Sequence, residues 1–417
     1  MNNLPPLGDA LLKQAPAIDD PTVPGFLGAA VACGLRKDGR EDLALIAGEQ
    51  ELQAAGIFTS NKLPAAPVQV ARRHLAQGRV RGILANSGGA NAATGDPGIE
   101  ACLRCCQEAG RLLACDPHQV LPCSTGVIGQ LLDDTKMRTA LPGLVAGLKP
   151  QGITAAAGAI MTTDTFRKMA MCRVEIAGRP VRLLGLAKGA GMIRPDMATM
   201  LAFVLTDATA SPAALGQILK PAADDSFNRV SVDGDTSTND TLLLLANGRA
   251  GHPELGPGDS GLAELGAAVT RVCQELAAML VADGEGASHL IRVVVQGAPD
   301  AAQARAYCYA IAHSPLCKTA FAGQNPNWGR LVSTTGAEAG RQDWPYDPTR
   351  VNLWIGSAHI CQDGLYGGQE AEVQTAAVMK QNRYQIILDL GLGKHGYWLL
   401  TSDLGHEYVN INTNYYS

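Results

Sequence analysis

The sequence lacks any excess of positive charge. Its 34 Lys and Arg stand against 39 Asp and Glu, a formal net charge of -5, which leaves no electrostatic footprint for nucleic acid or an anionic membrane surface. It lacks long apolar runs: stretches such as Thr241–Ala246 fall far short of the ~20 residues needed to cross a bilayer. No secretory leader is expected, because Met1–Ile18 carries Pro5, Pro6 and Asp9 and has no basic stretch followed by an apolar one. No internal repeat and no low-complexity segment stands out. These absences predict a cytoplasmic protein, with no nucleic acid or membrane partner, that works on a small molecule or on another protein.

What is present begins with eleven cysteines, an odd number scattered along the chain. In a reducing compartment they are expected as free thiols acting as small core residues. Cys102, Cys105, Cys115 and His118 are zinc-ligand types. However, Leu103, Cys106, Leu112 and Leu113 share that segment at spacings that suit an amphipathic helix over Gly98–Leu113. The helix is the stronger reading, and no metal is expected.

A chain of 417 residues is long enough for two or more lobes of roughly 100–200 residues each. Strands are expected at Ala44–Ala47, Gly56–Thr59, Val68–Ala71 and Gly82–Asn86, then an Ala-rich helix over Ile153–Met161. Arg173–Ile176 and Val181–Leu186 read as a hairpin turning at Gly178. Thr199–Thr206 reads as a buried strand, Pro212–Asp225 as a helix, Asp233–Asp240 as a polar loop and Leu242–Leu245 as a strand. Leu262–Val281 is a strong helix. Ile291–Val295, Val351–Ile355, Tyr384–Leu388 and Tyr397–Leu400 read as strands around a helix at Asp300–Ala312, and Glu407–Ser417 as a polar tail. Interleaved strands and helices in both halves argue for a layered α/β fold.

Three motif matches dissolve on inspection. Gly258-Asp259-Ser260-Gly261 resembles the loop around a protease serine, but it opens a helix, where Asp and Ser serve as N-caps. Asp233, Asp235 and Ser237 have calcium-loop spacing, yet Thr238 and Leu244 occupy the positions of the required glycine and glutamate. Lys188-Gly189-Ala190-Gly191 has the spacing of neither a P-loop nor a dinucleotide fingerprint.

The segment Lys188-Gly189-Ala190-Gly191-Met192-Ile193-Arg194-Pro195-Asp196-Met197-Ala198-Thr199-Met200-Leu201 is a Gly- and Pro-bearing loop feeding a strand that starts at Thr199. Alone it describes a tight turn and a strand-favoured threonine. It resembles, however, the self-cleavage site of the glutamate/ornithine N-acetyltransferases, the ArgJ family of arginine biosynthesis. Other segments carry the resemblance along the chain. Leu121-Pro122-Cys123-Ser124-Thr125-Gly126-Val127-Ile128-Gly129 is similar to the family's oxyanion-hole segment, and Met161-Thr162-Thr163-Asp164-Thr165 to a substrate-contact segment. Ser231 to Thr241 resembles its acidic loop, and Asp283-Gly284-Glu285-Gly286-Ala287, Asn327-Trp328-Gly329-Arg330 and Tyr408-Val409-Asn410-Ile411-Asn412 follow in order.

The resemblance implies a layered αββα sandwich of the self-processing threonine-nucleophile type. It is built from two chains, 1–198 and 199–417, after scission between Ala198 and Thr199, and these pair into a heterotetramer. It implies Thr199 as nucleophile, Thr125 and Gly126 as the oxyanion hole, and Thr162, Lys188, Thr199, Glu285, Asn412 and Ser417 as substrate-binding residues. It implies acetyl transfer from N-acetylornithine to glutamate without a bound cofactor, with acetyl-CoA as an alternative donor. The physical logic agrees. A threonine hydroxyl needs an adjacent base, and scission of the preceding peptide bond turns its own α-amine into one; such an amine titrates near pH 7.7–8. None of the eight histidines lies near Thr199 in sequence. Lys188 suits a substrate carboxylate and Glu285 a substrate amine, while Asp233–Asp240 reads as a rigid support.

Three positions depart from the family pattern. Asp196 stands where Asn is usual, His289 where Lys often follows, and Gly89 where Asn is usual. They leave open a relative that acylates another amine in a specialised pathway. A self-processing amidohydrolase or aminopeptidase-like enzyme, passing the acyl group to water, is the reading from a different enzyme class. A binding protein without catalysis would leave the nucleophile, hole and cleavage loop without purpose.

Overall fold

The computed structural model describes residue 14 and residues 17–194 and 200–414. The chain folds into two compact units, one holding residues 17–228 and 235–280, the other residues 229–234 and 281–414.

The larger unit is built on an eight-stranded sheet. Its order runs Val120–Ser124, Val80–Asn86, Leu43–Phe58, Thr241–Ala246, Leu201–Thr206, Arg179–Lys188 and Lys168–Ile176, with Phe26–Val31 paired to Leu43–Phe58. The two short strands read from Ala44–Ala47 and Gly56–Thr59 are ends of one sixteen-residue strand. Its exposed middle, Glu49-Gln50-Glu51, breaks the apolar pattern that strand reading depends on. The first half of this strand pairs with Val80–Asn86 and the second with Thr241–Ala246, the register shifting between Ala47 and Leu52.

Side chains alternate across this sheet with the period of two expected of a strand. Leu43, Leu45, Leu84 and Val120 face the helices Gly95–Leu113 and Asp134–Ala146 through Cys102, Cys105, Cys106, Met137 and Leu141. Ala44, Ile46, Ile83 and Leu121 face the other way, onto Ile153, Ala156 and Ala157 of the helix Ile153–Ala159. The expected amphipathic helix over Gly98–Leu113 is therefore there, its thiols in the core, and all eleven cysteines are free.

The expected strand at Val68–Ala71 is instead part of the helix Ala66–Leu75. Val68 and Val70 favour strands, but Pro67 in the first turn fits a helix start, and burial at Val68, Ala71 and His74 follows helical spacing. The hairpin is as read: Ile176 pairs with Arg179 across Ala177 and Gly178, whose φ values of 49° and 73° suit a two-residue turn matched to strand twist. Asp259 directly precedes the helix Ser260–Ala282, and its side chain accepts from the Gly256 backbone N–H at 2.6 Å, tying the preceding turn.

The helix Ser260–Ala282 is long and apolar enough to cross a membrane by length and composition, but it is a mostly buried core helix. Gly185 on the Arg179–Lys188 strand leaves room for it, since a Cβ there would overlap Val272 Cγ1 and lie 2.7 Å from Leu276 Cδ1.

The smaller unit carries a seven-stranded sheet in the order Leu365–Tyr366, Ala358–Gln362, Asn352–Ile355, Arg383–Asp389, Leu290–Ala298, His395–Ser402 and Val230–Ser231. The helix Ala301–His313 covers it and Trp328–Gln342 packs on that helix, so that Tyr307, Ile311 and Leu331 share one core with Val293, Val295, Leu388 and Leu399. The segment read as a polar tail from Glu407 contains the helix His406–Asn414.

Gly185→Val overfills the contact with the long helix. It is expected to lower stability by about 1–3 kcal/mol, read as an earlier midpoint in urea unfolding with an unchanged slope.

Candidate active site

Thr125 and Gly126 follow the strand Val120–Ser124, and their loop has little freedom. The Thr125 N–H donates to Asn86 O at 2.9 Å, and Ser124 Oγ donates to Asn86 Oδ1 at 2.7 Å. The Asn239 amide holds the loop from the other side, donating to Ala90 O at 2.6 Å and Ser124 O at 2.9 Å. Gly126 has φ 129°, and a Cβ there would meet Gly88 C at 2.5 Å and Gly89 N at 2.6 Å. Only glycine satisfies both the backbone angle and the packing. At Gly89, one of the departures, a Cβ would meet only Leu132 Cδ1, at 3.3 Å.

Lys188 ends the strand Arg179–Lys188 and is buried. Its Nζ donates to Thr125 Oγ1 at 3.1 Å. An ammonium cannot accept, so the threonine oxygen spends a lone pair on Lys188 and keeps its own proton for another acceptor. A hydroxyl presented in this way can donate to a developing oxyanion.

Asp164 ties the second expected substrate segment to the same place. Oδ2 accepts from the Thr162 N–H at 2.9 Å, while Oδ1 accepts from the Gly189 N–H and from Lys168 Nζ, both at 2.6 Å. Burial pushes the acid up, but Lys168, Lys188 and the Gly189 N–H outweigh it and hold Asp164 below the usual carboxylate range. After Gly189, at φ 145°, the chain passes Met192 at φ 55°, a left-handed conformation uncommon for a non-glycine residue. Pro195, Asp196, Ala198 and Thr199 lie outside the described residues, and the strand resumes with Leu201–Thr206.

The loop after Gly234 is pinned from several directions. Thr59 Oγ1 donates to Ser237 O at 2.8 Å, Asn61 Nδ2 to Thr236 O at 3.0 Å, and Thr236 Oγ1 to Arg194 O at 3.3 Å. It ends at Asp240, a buried acid whose pKa burial raises well above its ordinary value, against smaller opposing effects from the Met200 N–H and Lys188.

Glu285 and Asn412 belong to the smaller unit and meet there, Asn412 Nδ2 donating to Glu285 Oε2 at 2.7 Å. The turn beyond Glu285 needs Gly286, at φ 68°, where a Cβ would overlap the Tyr408 nitrogen. Asp403 anchors the chain that follows: Oδ1 accepts from the Ser288 and His289 N–H groups at 2.8 and 2.9 Å, and Ser288 Oγ donates to Oδ2. His289, the second departure, is buried with Nδ1 3.2 Å from Asp403 Oδ2 and packs edge-on against Tyr384. Nearby, Lys318 donates to Thr401 Oγ1 at 3.1 Å and to Ser402 O. Burial lowers its pKa to about 8, against the pull of Asp403 and Asp233.

The described residues thus bring together Thr125, Gly126, Thr162 and Lys188 in one unit and Glu285 with Asn412 in the other; Ser417 lies outside them. Sequence reasoning left Asp164 and Asp403 without roles. Asp164 lies within Met161–Thr165 with Lys168 four residues on, a spacing that suits an ion pair. For Asp403, far from Ser288 in sequence, there was no signal.

A sequence model of the ArgJ family matches residues 28–417. The arginine biosynthesis bifunctional protein ArgJ of Geobacter sulfurreducens is 41% identical over 393 residues, covering 94% of this chain and 99% of that protein. The protein of the same name from Nitratidesulfovibrio vulgaris is 45% identical over 394 residues, covering 94% and 98%. A crystal structure of ornithine acetyltransferase complexed with ornithine, from Mycobacterium tuberculosis, aligns at 33% identity over 43% of this chain and 97% of that one, with a TM-score of 0.38. The chain belongs to the ArgJ family, and it is an enzyme.

Asp164 has a depressed folded-state pKa, so the stability it contributes is present above its unfolded pKa of ~3.9 and is lost as pH falls through the folded value. Asp164→Asn takes the Asp164 charge away from the buried Lys168 and is expected to cost about 3–5 kcal/mol at pH 7. The gap to the parent should narrow below about pH 4 in thermal melts taken across pH.

Proposed function

We propose that this enzyme cuts itself between Ala198 and Thr199 and then carries acetyl on the Thr199 hydroxyl, moving it from N-acetylornithine to glutamate in arginine biosynthesis. The observation that carries the reading is the Lys188 Nζ to Thr125 Oγ1 contact at 3.1 Å, which leaves a hydroxyl proton free to donate beside a glycine-only turn. It lies at the sheet level where Lys188 pairs with Leu201, two residues after the nucleophile.

In scission, the Thr199 hydroxyl attacks the Ala198 carbonyl and water releases the resulting ester. In turnover, the freed α-amine takes the hydroxyl proton while the oxygen attacks the acetyl carbonyl. The oxyanion accepts from the Thr125 hydroxyl and the Gly126 N–H. The proton passes to the departing ornithine amine as its C–N bond breaks. Glutamate then attacks the ester and leaves as N-acetylglutamate. Thr162, Lys188, Glu285, Asn412 and Ser417 bind the amino-acid groups, and no bound cofactor takes part. Relatives named as bifunctional proteins support acetyl-CoA as a second donor.

Chains 1–198 and 199–417 remain associated, two of each forming a heterotetramer in the cytoplasm. The sheet supports their association: Leu201–Thr206 and Thr241–Ala246 lie between Leu43–Phe58 and Arg179–Lys188, so strands from both sides of the cut share one hydrogen-bonded ladder.

Intact mass spectrometry should give two co-purifying fragments for the parent and a single full-length chain for Thr199→Ala. A parent that stays whole while transferring acetyl normally refutes the mechanism. Incubation with N-acetylornithine should yield N-acetylglutamate only when glutamate is added; acetate in its place would mark a hydrolase. Thr125→Val is expected to lower kcat roughly 10²–10³-fold without preventing folding, as judged by circular dichroism.

A further inference from the structure

A cavity of about 600 Å³ in the larger unit is lined from the helix Ile153–Ala159, the start of the strand Lys168–Ile176 and the loop at Arg40 and Glu41. That volume falls within the roughly 300–1,000 Å³ of small-molecule sites. Ile18, Met161, Phe166 and Met169 give it an apolar lining, and Phe166 and Met169 are buried. None of Thr125, Gly126, Thr162 and Lys188 lines it.

Its frame is fixed. Asp42 Oδ1 accepts from the Cys33 N–H at 2.6 Å and Oδ2 from the Arg36 N–H at 2.8 Å. Arg36 Nη1 donates to Met161 O at 3.0 Å, which ties that loop to the opposite lining. Asp38 takes both Arg36 and Arg40, each at 2.8 Å, so the Arg40 charge is already matched. Two charges are not. The Arg167 guanidinium lies against Gly158, where a Cβ would come within 2.9 Å of its Nε. Among the described residues neither the Arg167 nor the Glu41 side chain has a hydrogen bond or ion pair, and both line the cavity. One open charge of each sign thus borders an apolar hollow.

We propose that this cavity is a second ligand site, which takes an apolar zwitterion: a free amino acid or a dipeptide with large apolar side chains. Its carboxylate pairs with Arg167, its ammonium with Glu41, and its apolar body packs on Met161, Phe166 and Met169. A guanidinium offers a carboxylate two parallel donors, and a glutamate accepts from an ammonium. A polyanion would meet the Glu41 charge and a simple cation the Arg167 charge. An uncharged apolar molecule would leave both side chains as they are. Because the frame is held before anything binds, little ordering is left for the ligand to impose. The assignment is independent of which residue is the nucleophile. Its place in the molecule gives it interest: Met161 adjoins Thr162, and Lys168, which pairs with Asp164, has its Nζ 5.0 Å from the centre of the Phe166 ring.

Titration calorimetry on the purified full protein tests it, with L-phenylalanine and L-leucyl-L-leucine as probes. Tighter binding of the first marks a free amino acid as the occupant and of the second a dipeptide; both support the site. No binding of either up to about 10 mM overturns it. N-acetyl-L-leucyl-L-leucine, which lacks the ammonium, and L-leucyl-L-leucinamide, which lacks the carboxylate, should each bind roughly 5-fold more weakly than the parent dipeptide. Arg167→Gln should weaken the parent dipeptide by the same factor and leave the amide unchanged, and Glu41→Gln should do so with the N-acetyl form unchanged. Analogues that bind as well as the parent, or variants that bind it as the parent protein does, overturn the proposal. The titration is repeated with ornithine in excess. A Kd within about 2-fold supports a separate site, whereas competition puts the probe among the acetyl-transfer residues and overturns it. Both substitutions are at exposed positions, and circular dichroism checks their folding. Should one variant fail to fold, the other and the analogues on the parent protein still decide.

Discussion

The constraint on which the larger unit depends is the pairing of Leu201–Thr206 on both of its edges. One edge runs antiparallel to Arg179–Lys188 and the other parallel to Thr241–Ala246. All six residues of this strand are buried, so its register cannot slip without turning its apolar face over. That register puts Lys188, Leu201 and Thr241 level with one another. Lys188 reaches Thr125 from there, and Asp240 and Met200 come side by side. The chemistry proposed for this family member is positioned by main-chain hydrogen bonds before any side chain contributes.

A second feature is the number of asparagine and aspartate side chains used to fasten loops. Asn86, Asn239 and Asp164 each bind two or more groups from separate segments. In the smaller unit, Asp403 does the same for Ser288 and His289. Side chains locked by several partners hold neighbouring groups to small tolerances, as a site that stabilises a transient charge requires. Asp164 carries a further burden, since its carboxylate lies 2.6 Å from the buried Lys168 ammonium and compensates that charge.

Much of this was legible in the sequence, for a physical reason. Residues that must meet in a tight loop tend to be contiguous, so Ser124-Thr125-Gly126 and Lys188-Gly189 stand in short runs whose resemblance to the family's segments was visible in the sequence. The helix over Gly98–Leu113 and the hairpin at Gly178 were also readable, because periodicity and turn chemistry are local. What escaped was non-local or masked by a conflicting signal. Val68 and Val70 favour strands, and only packing reveals the helix they belong to. The charged bend at Glu49–Glu51 hid a continuous strand. Asp403 carries no local signal, and His289 stands as a departure from the family pattern; only the fold joins them.

The placement of the Leu201–Thr206 and Thr241–Ala246 strands within the sheet has a consequence for how such an enzyme wears out. The proposed cut before Thr199 would turn a one-molecule folding equilibrium into a dissociation, since two pieces that part on unfolding must find each other again to recover. Recovery then depends on concentration, and in dilute solution each unfolding event is effectively final. With the cut proposed above, the lifetime of the enzyme would be set by the rate at which the ladder opens, whereas an uncut chain could still refold alone.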